Sequence, residues 1–460
     1  MQLSRRKFLS LTATSAATAL GVPLFRKSIA ASSDFRFGRS ESIDRVVLMI
    51  LDGARDEFID RMPHLRKITA TYGFRFLSNE TIMTSNTVAA HISFLTGAYP
   101  EKTGVSGNAI YIREENFYQF VMHSPQHIQA ETLVESVKKQ DESIKFAFVT
   151  GKWRVPPNLA FSRQGEFLAD IVLTGHRSGI PLTPEKYRSI VGIPEIHKQA
   201  VGSDVRDSWT IPAAYEVIKR DDPDFLMLNL ASTDVLEHVY GPDTPKFAPH
   251  LADLDDMLRL FFKKLDNIGK LSSTLFIITS DHGQQNVYHV FNMAEYLKKH
   301  GFESEILLEG TSAFLYLQEP EKRHEVAELL NQLREKGIVR EALPVDNYEK
   351  YRLPKNGWAG DVIVILEDGW VAGFWGLTST SPKLPLRKVR TEVSVPGDHG
   401  GVAESEIHVP LIFIGPGIEP GVSGERTSIV DIVPTICRAM EWNEPSDVQG
   451  RSLLEVMRYA

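Results

Sequence analysis

Along this chain, runs of apolar residues repeatedly stop at an acidic side chain. Val46-Val47-Leu48-Met49-Ile50-Leu51 meets Asp52-Gly53, and Thr274-Leu275-Phe276-Ile277-Ile278-Thr279-Ser280 meets Asp281-His282-Gly283. Phe225-Leu226-Met227-Leu228-Asn229-Leu230 leads through Ala231-Ser232-Thr233 to Asp234. Such runs predict strands buried on both faces, as in a parallel sheet covered by helices. Phe146-Ala147-Phe148-Val149 is a shorter strand ending in Thr150-Gly151-Lys152-Trp153-Arg154. Between the strands the period becomes helical. Val88, Ile92 and Leu95 share a face and Gly97 stops that helix. Met62-Pro63-His64-Leu65 opens another helix, with Pro near its first turn. Leu251, Leu254, Leu258, Phe261, Phe262 and Leu265 line a long amphipathic helix. Strands alternating with helices predict an α/β fold: a doubly wound, mostly parallel sheet flanked by helices.

From 285 to 395 the pattern changes to a smaller α+β insertion. Ala313–Leu317 reads as a strand, Glu319–Lys336 as a helix closed by Gly337, and Val362–Leu366 with Trp370–Phe374 as a hairpin around Glu367-Asp368-Gly369. The core is therefore expected over 40–284 and 396–460. Residues 1–30 read as an export signal. Ser4-Arg5-Arg6-Lys7-Phe8-Leu9 has the twin-arginine form, the following apolar run is diluted with Thr, Ser, Ala and Gly, and Ser28-Ile29-Ala30 offers a cleavage site. Export in a folded state to the periplasm or beyond is expected, with no membrane span left once the signal is removed. One cysteine, Cys437, forms no intramolecular disulfide and reads as a small buried apolar residue. A net charge of -8 with dispersed basic residues gives no reason to expect nucleic acid as a partner.

In open α/β sheets, ligands bind beyond the carboxyl ends of the strands. Asp52, Asp234, His238, Asp281, His282 and His399 collect there, three carboxylates and three imidazoles. That donor set suits zinc and is too large for one tetrahedral ion. Two metals about 3.5–4 Å apart can hold the attacking and leaving oxygens of an in-line phosphoryl displacement. The cluster Thr84-Ser85-Asn86-Thr87 stands where the next helix needs an N-cap, and a helix N-terminus also favours anions.

These motifs resemble the alkaline phosphatase superfamily, in particular its type I phosphodiesterase and nucleotide pyrophosphatase-like branch with a threonine nucleophile. The resemblance runs from about Arg45 to Pro434. It rests on Leu51-Asp52-Gly53, on Thr87-x-x-x-His91 with Thr96-Gly97-x-Tyr99-Pro100-Glu101, on Asp234-x-x-x-His238-x-x-Gly241-Pro242, on Ser280-Asp281-His282-Gly283 and on Gly397-x-His399-Gly400. It implies two zinc ions, one held by Asp52, Asp281, His282 and the Thr87 oxygen, the other by Asp234, His238 and His399. It further implies Thr87 as the nucleophile, rather than the neighbouring Thr84 or Ser85, and a phospho-threonine intermediate. Asn108 is implied to bind a non-bridging phosphoryl oxygen, helped by the backbone N–H that follows Thr87. Val88-Ala89-Ala90 departs from the Phe-Pro-Asn common among nucleotide pyrophosphatases.

Lys152 and Arg154 resemble a Lys-x-Arg pair of a monoesterase group, where a phosphonoacetate hydrolase group has Lys-x-Lys. A monoester dianion carries one more charge than a diester, and an Arg fork can hold two of its oxygens, so the pair favours monoesters. The expected partner is a small phosphate-ester substrate. Phosphodiesterase, nucleotide pyrophosphatase and phosphonate hydrolase activities stay open, as do a phosphoryl or headgroup transferase and a metal-binding protein without turnover.

Overall fold

A computed structural model describes residues 35–38, 40, 42–120, 125–152, 160–174, 207–372 and 396–458. The export segment, Trp153, Arg154 and Phe374 lie outside the described residues. The described residues belong to one compact unit, Phe35–Ala460.

The central sheet is built from β1 (Arg45–Leu51), β2 (Gly73–Glu80), β3 (Phe146–Thr150), β4 (Ile171–Thr174), β5 (Phe225–Leu230), β6 (Thr274–Thr279), β7 (Leu411–Ile414) and β8 (Gly421–Ser428). Its order is β8-β2-β7-β6-β1-β5-β3-β4. β7 runs against β2 and β6, and the remaining neighbours are parallel. Helices α1 (Pro63–Tyr72), α2 (Thr87–Thr96), α3 (Leu133–Gln140), α4 (Asp207–Asp221), α5 (Ser232–Tyr240), α6 (Ala248–Asn267) and α7 (Ile432–Met440) accompany it. α1, α4 and α6 pack on one face. α2, α3 and α7 pack on the other. The sheet is thus doubly wound, and every side chain of β1 is buried, as its unbroken apolar run requires.

Register aligns the strand ends. Ile50 pairs with Asn229 on one side and with Thr279 on the other. Asp52, the first turn of α5 with Asp234, and Asp281 therefore emerge at one edge, the carboxyl end where ligands bind in such sheets.

The later stretch contains a four-stranded antiparallel sheet in the order Ser304–Glu309, Ser312–Leu317, Val362–Leu366, Val339–Pro344. Val326, Ala327 and Leu330 of the Arg323–Asn331 helix pack into its core. That helix is shorter than expected, flanked by 3₁₀ turns at Pro320–Lys322 and Gln332–Lys336, and Gly337 ends it at φ 64°. The expected hairpin around Glu367-Asp368-Gly369 is corrected. The turn forms, but Val362–Leu366 already has Ser312–Leu317 and Val339–Pro344 on its two edges. Trp370–Val371 pairs instead with His289–Val290. The tight hairpin of this sheet turns at Gly310-Thr311, where Gly310 has φ 73°. Cys437 is buried as expected, and burial pushes its thiol up to about 12.

Candidate active site

The turn after β1 brings the first residues together. Gly53 adopts φ 82°, and a Cβ there would lie 2.8 Å from Asp234 Cα, so only glycine lets the two strand ends close. The Gly53 N–H donates to Asp281 Oδ1 at 3.2 Å, and the Asp234 N–H to the Asp52 carbonyl at 2.9 Å. The Asp281 carboxylate is thereby held by the turn after β1, and the backbones of Asp52 and Asp234 are tied to each other.

Thr87 is the first residue of α2. Its Oγ1 lies 3.2 Å from His282 Nε2 and accepts from Lys152 Nζ at 3.0 Å. The neighbouring hydroxyls are engaged elsewhere: Thr84 donates to the Ser106 carbonyl, and Ser85 donates to the Gly401 carbonyl while accepting from the Gly400 N–H. The cluster supplies the N-cap residue as expected, but not the capping bond. Asn86 occupies the N-cap position without a side-chain cap. Asn108 Oδ1 takes the Val88 N–H at 3.0 Å from twenty residues away. The N–H expected to help bind a phosphoryl oxygen is therefore committed to Asn108. The Asn108 amide hydrogens point instead toward Asn86 Oδ1, at 3.4 Å.

His238, His282 and His399 share one arrangement. Their Nδ1 atoms face the carbonyls of Gly397, Gly283 and Ser85 at 2.9, 3.1 and 2.8 Å. A backbone carbonyl on Nδ1 leaves Nε2 aimed at the carboxylates, the usual arrangement of metal-binding histidines. The His282 and His399 rings stack at 3.6 Å. Donor atoms of Asp234, His238 and His399 lie within 4.8 Å of one another, and so do those of Asp52, Asp234 and His282. Asp281 Oδ2 is buried with no hydrogen-bond partner among the described residues. An orphaned carboxylate oxygen beside preset imidazoles is what a divalent ion needs, so these residues fit a metal centre, with Asp234 common to both groups. His91 also lies with Asp52 and Asp281. Both its nitrogens are committed, however, Nδ1 to the Thr87 carbonyl at 2.7 Å and Nε2 to Asn229 Nδ2 at 3.2 Å.

Electrostatics in the cluster are strained by burial. Burial and the Asp281 charge raise the Asp52 carboxyl well above its ordinary range, outweighing Lys152, although Lys152 Nζ is 2.5 Å from Asp52 Oδ1. Burial works the same way on Asp234, but Lys152 at 2.8 Å with His238 and His399 holds it well below. Burial pushes His282 down to about 3, and burial with the His282 charge depresses His399. His238 is lifted to about 9 because Asp234 overrides burial. A metal ion held by the same donors would compete with that proton. Lys152 thus sits among the carboxylates as well as beside Thr87.

Two residues escaped the sequence reading. Asn229 donates to Asp52 Oδ2 at 2.8 Å, and its signal was a single amide in an otherwise apolar buried strand. Glu309, from the insertion, accepts the Asn108 N–H at 3.3 Å, and burial raises its carboxyl to about 8. No local pattern marks Glu309, because its partner lies 201 residues away.

The alkaline phosphatase PafA of Elizabethkingia meningoseptica is 25% identical over 273 residues, covering 52% of this chain and 46% of that protein. The chain spans about half the length of the first curated relatives it matches. Among solved structures, murine ectonucleotide pyrophosphatase/phosphodiesterase 5 superposes with TM-score 0.68 at 16% identity, over 90% of this chain and 99% of that one. Phosphonoacetate hydrolase from Sinorhizobium meliloti, solved with phosphonoacetate, gives 0.65 at 18% identity, over 87% and 96%. Residues 46–401, well over half of the sequence, match a single family, and the chain belongs to it: the type I phosphodiesterase / nucleotide pyrophosphatase family.

Proposed function

We propose that the protein is a two-zinc hydrolase of phosphoric esters that works through a phospho-threonine on Thr87 and prefers monoesters. The observation that carries this reading is the setting of Thr87. Its hydroxyl faces His282 and Lys152, while Thr84 and Ser85 spend theirs on carbonyls of the surrounding loops. Asp52, Asp281, His282 and Thr87 would hold one ion, and Asp234, His238 and His399 the other. When bound, the ions supply the positive charge that an attacking and a leaving oxygen require.

The chain's own residues account for the rest. Thr87 Oγ1 bonds to phosphorus, the ester oxygen leaves as an alcohol, and water then splits the phospho-threonine to give phosphate and restore the hydroxyl. Lys152 favours the ionised Thr87 oxygen from 3.0 Å and offers its ammonium to the transferring group. Arg154, two positions on, would add a planar fork for two oxygens of a dianion. Asn108 would turn its amide hydrogens to a third. The substrate is a small phosphate ester. Export by the twin-arginine route to the periplasm or beyond completes the proposal, and among the described residues no helix is long and apolar enough to cross a membrane.

A second reading is diester or nucleotide hydrolysis. The family's description names both, and an inactive form of the murine relative was solved with AMP. Initial rates of one zinc-loaded preparation on aryl phosphate, aryl phosphodiester, phosphonate and sulfate esters decide between them. The fastest rate is expected on the aryl phosphate; a faster diester rate replaces the first reading with the second.

A further inference from the structure

We infer that Asn229 is a positioning residue that orients Asp52 and sets the tautomer of His91, and through them aligns Thr87 with Lys152. The inference rests on the proposed role of Thr87. Asn229 is 1% exposed and lies in β5 between β1 and β3, where its neighbours Leu228 and Leu230 are apolar. A buried amide is costly unless its donors and acceptor are used. Here all are used. One Nδ2 hydrogen goes to Asp52 Oδ2 at 2.8 Å and the other to His91 Nε2 at 3.2 Å, while Oδ1 lies 3.1 Å from the Thr150 hydroxyl.

Each contact settles something at the reacting atoms. With Oδ2 held, Asp52 presents Oδ1 to the centre, where Lys152 Nζ stands at 2.5 Å. Because His91 Nε2 accepts, its ring hydrogen is on Nδ1 and donates to the Thr87 carbonyl at 2.7 Å, anchoring the first turn of α2. Thr150 Oγ1, the partner of the side-chain Oδ1, accepts the Lys152 N–H at 3.0 Å, and the Asn229 backbone carbonyl separately accepts the Gly151 N–H at 3.1 Å. One amide thus touches the nucleophile's helix, a metal-facing carboxylate and the turn that carries the lysine. Turning the amide over would take its donors away from Asp52 Oδ2 and His91 Nε2 and aim them at the Thr150 hydroxyl, so its orientation is fixed by these partners.

The test is Asn229→Ala and Asn229→Asp, stripped of metal and titrated with zinc against a chromophoric chelator, alongside kcat and KM on an aryl phosphate. Wild type is expected to bind two ions. In Asn229→Ala one ion should bind about 10- to 100-fold more weakly, the usual effect of losing a partner behind a ligand. The ion at Asp234, His238 and His399 should be unchanged, and kcat should fall more than KM rises. Asn229→Asp keeps the size but loses both donors, and should be impaired at least as much. If these variants do not fold, His91 carries the test: His91→Gln can still donate to Thr87 and accept from Asn229, and should lose less kcat than His91→Leu. Equal weakening of both ions, no weakening of either, or equal losses in the two His91 variants overturns the inference. Wild type binding fewer than two ions would instead overturn the proposed function itself.

Discussion

Replacing Lys152 by Met tests whether one buried ammonium serves both the carboxylate cluster and the Thr87 hydroxyl. In the structure its Nζ lies 2.5 Å from Asp52, 2.8 Å from Asp234 and 3.0 Å from Thr87, with the residue 6% exposed. Removing one partner from a buried charge pair costs about 3–5 kcal/mol, because the other charge is left uncompensated. In chelator-treated protein that full cost should appear in the urea midpoint. With zinc loaded, Asp52 and Asp234 have another cation to face, and the remaining loss is about 1.5 kcal/mol, one charged hydrogen bond to Thr87. The difference, about 1.5–3.5 kcal/mol, must reappear as tighter zinc binding, roughly 10- to 300-fold at 1.4 kcal/mol per decade. Catalysis should move the other way. Loss of a charged contact to the transferring group lowers kcat/KM on an aryl phosphate by about 1.5–3 kcal/mol, or ~10- to 150-fold. Urea unfolding with and without zinc, chelator competition and initial rates measure the three effects. Equal destabilisation of loaded and chelated protein, or weaker zinc binding in the variant, refutes the reasoning.

Three further outcomes follow from the same geometry. Thr87→Ala should abolish most turnover and leave the fold intact, because the Asn108 side chain and not Thr87 caps the N-terminus of α2; near-native rates in Thr87→Ala with loss in Thr84→Ala or Ser85→Ala would name another nucleophile. Elemental analysis of the purified protein should find about two zinc ions per chain, and full activity with one ion or none would reject the two-metal reading. Burial raises Glu309 from 4.5 to about 8, so the folded protein binds a proton there that the unfolded chain has released. Its contribution is present below pH 4.5 and is lost as pH rises to about 8. Glu309→Gln should therefore flatten the fall in stability across that window, and an unchanged slope in urea unfolding at stepped pH would contradict it.

The sheet and the gathering of Asp and His side chains at its edge were legible in the sequence because buried parallel strands leave continuous apolar runs, and their ends mark where ligands gather. Asp52, Asp234, Asp281, His282 and His399 needed no contact information to be nominated. What the sequence concealed depended on distant partners. The Glu367-Asp368-Gly369 turn was visible, but nothing local says that Val362–Leu366 will be flanked on both sides by other strands. The polar cluster before α2 resembled a self-contained cap, yet Asn108 supplies that bond from outside it. Asn229 could be seen as a break in an apolar run, but its role depends on a register that sets it beside Ile50 and so near Asp52.

The turn at Gly310-Thr311 bears on how far such proteins can be recombined. A Cβ on Gly400 would come within 1.7 Å of the Glu309 carbonyl, Thr311 N–H donates to the His399 carbonyl at 3.0 Å, and the Ser312 hydroxyl donates to the Gly400 carbonyl at 2.6 Å. The insertion is therefore riveted to the peptide that carries His399, and through Glu309 to the loop that carries Asn108. It is not a cassette. A chimera that exchanges residues 285–395 for a relative's segment, in the hope of moving substrate preference alone, would also replace the backing of His399 and Asn108. Grafts that keep Glu309–Ser312 and splice on either side of it leave that backing in place, so crossover points belong outside this tetrapeptide.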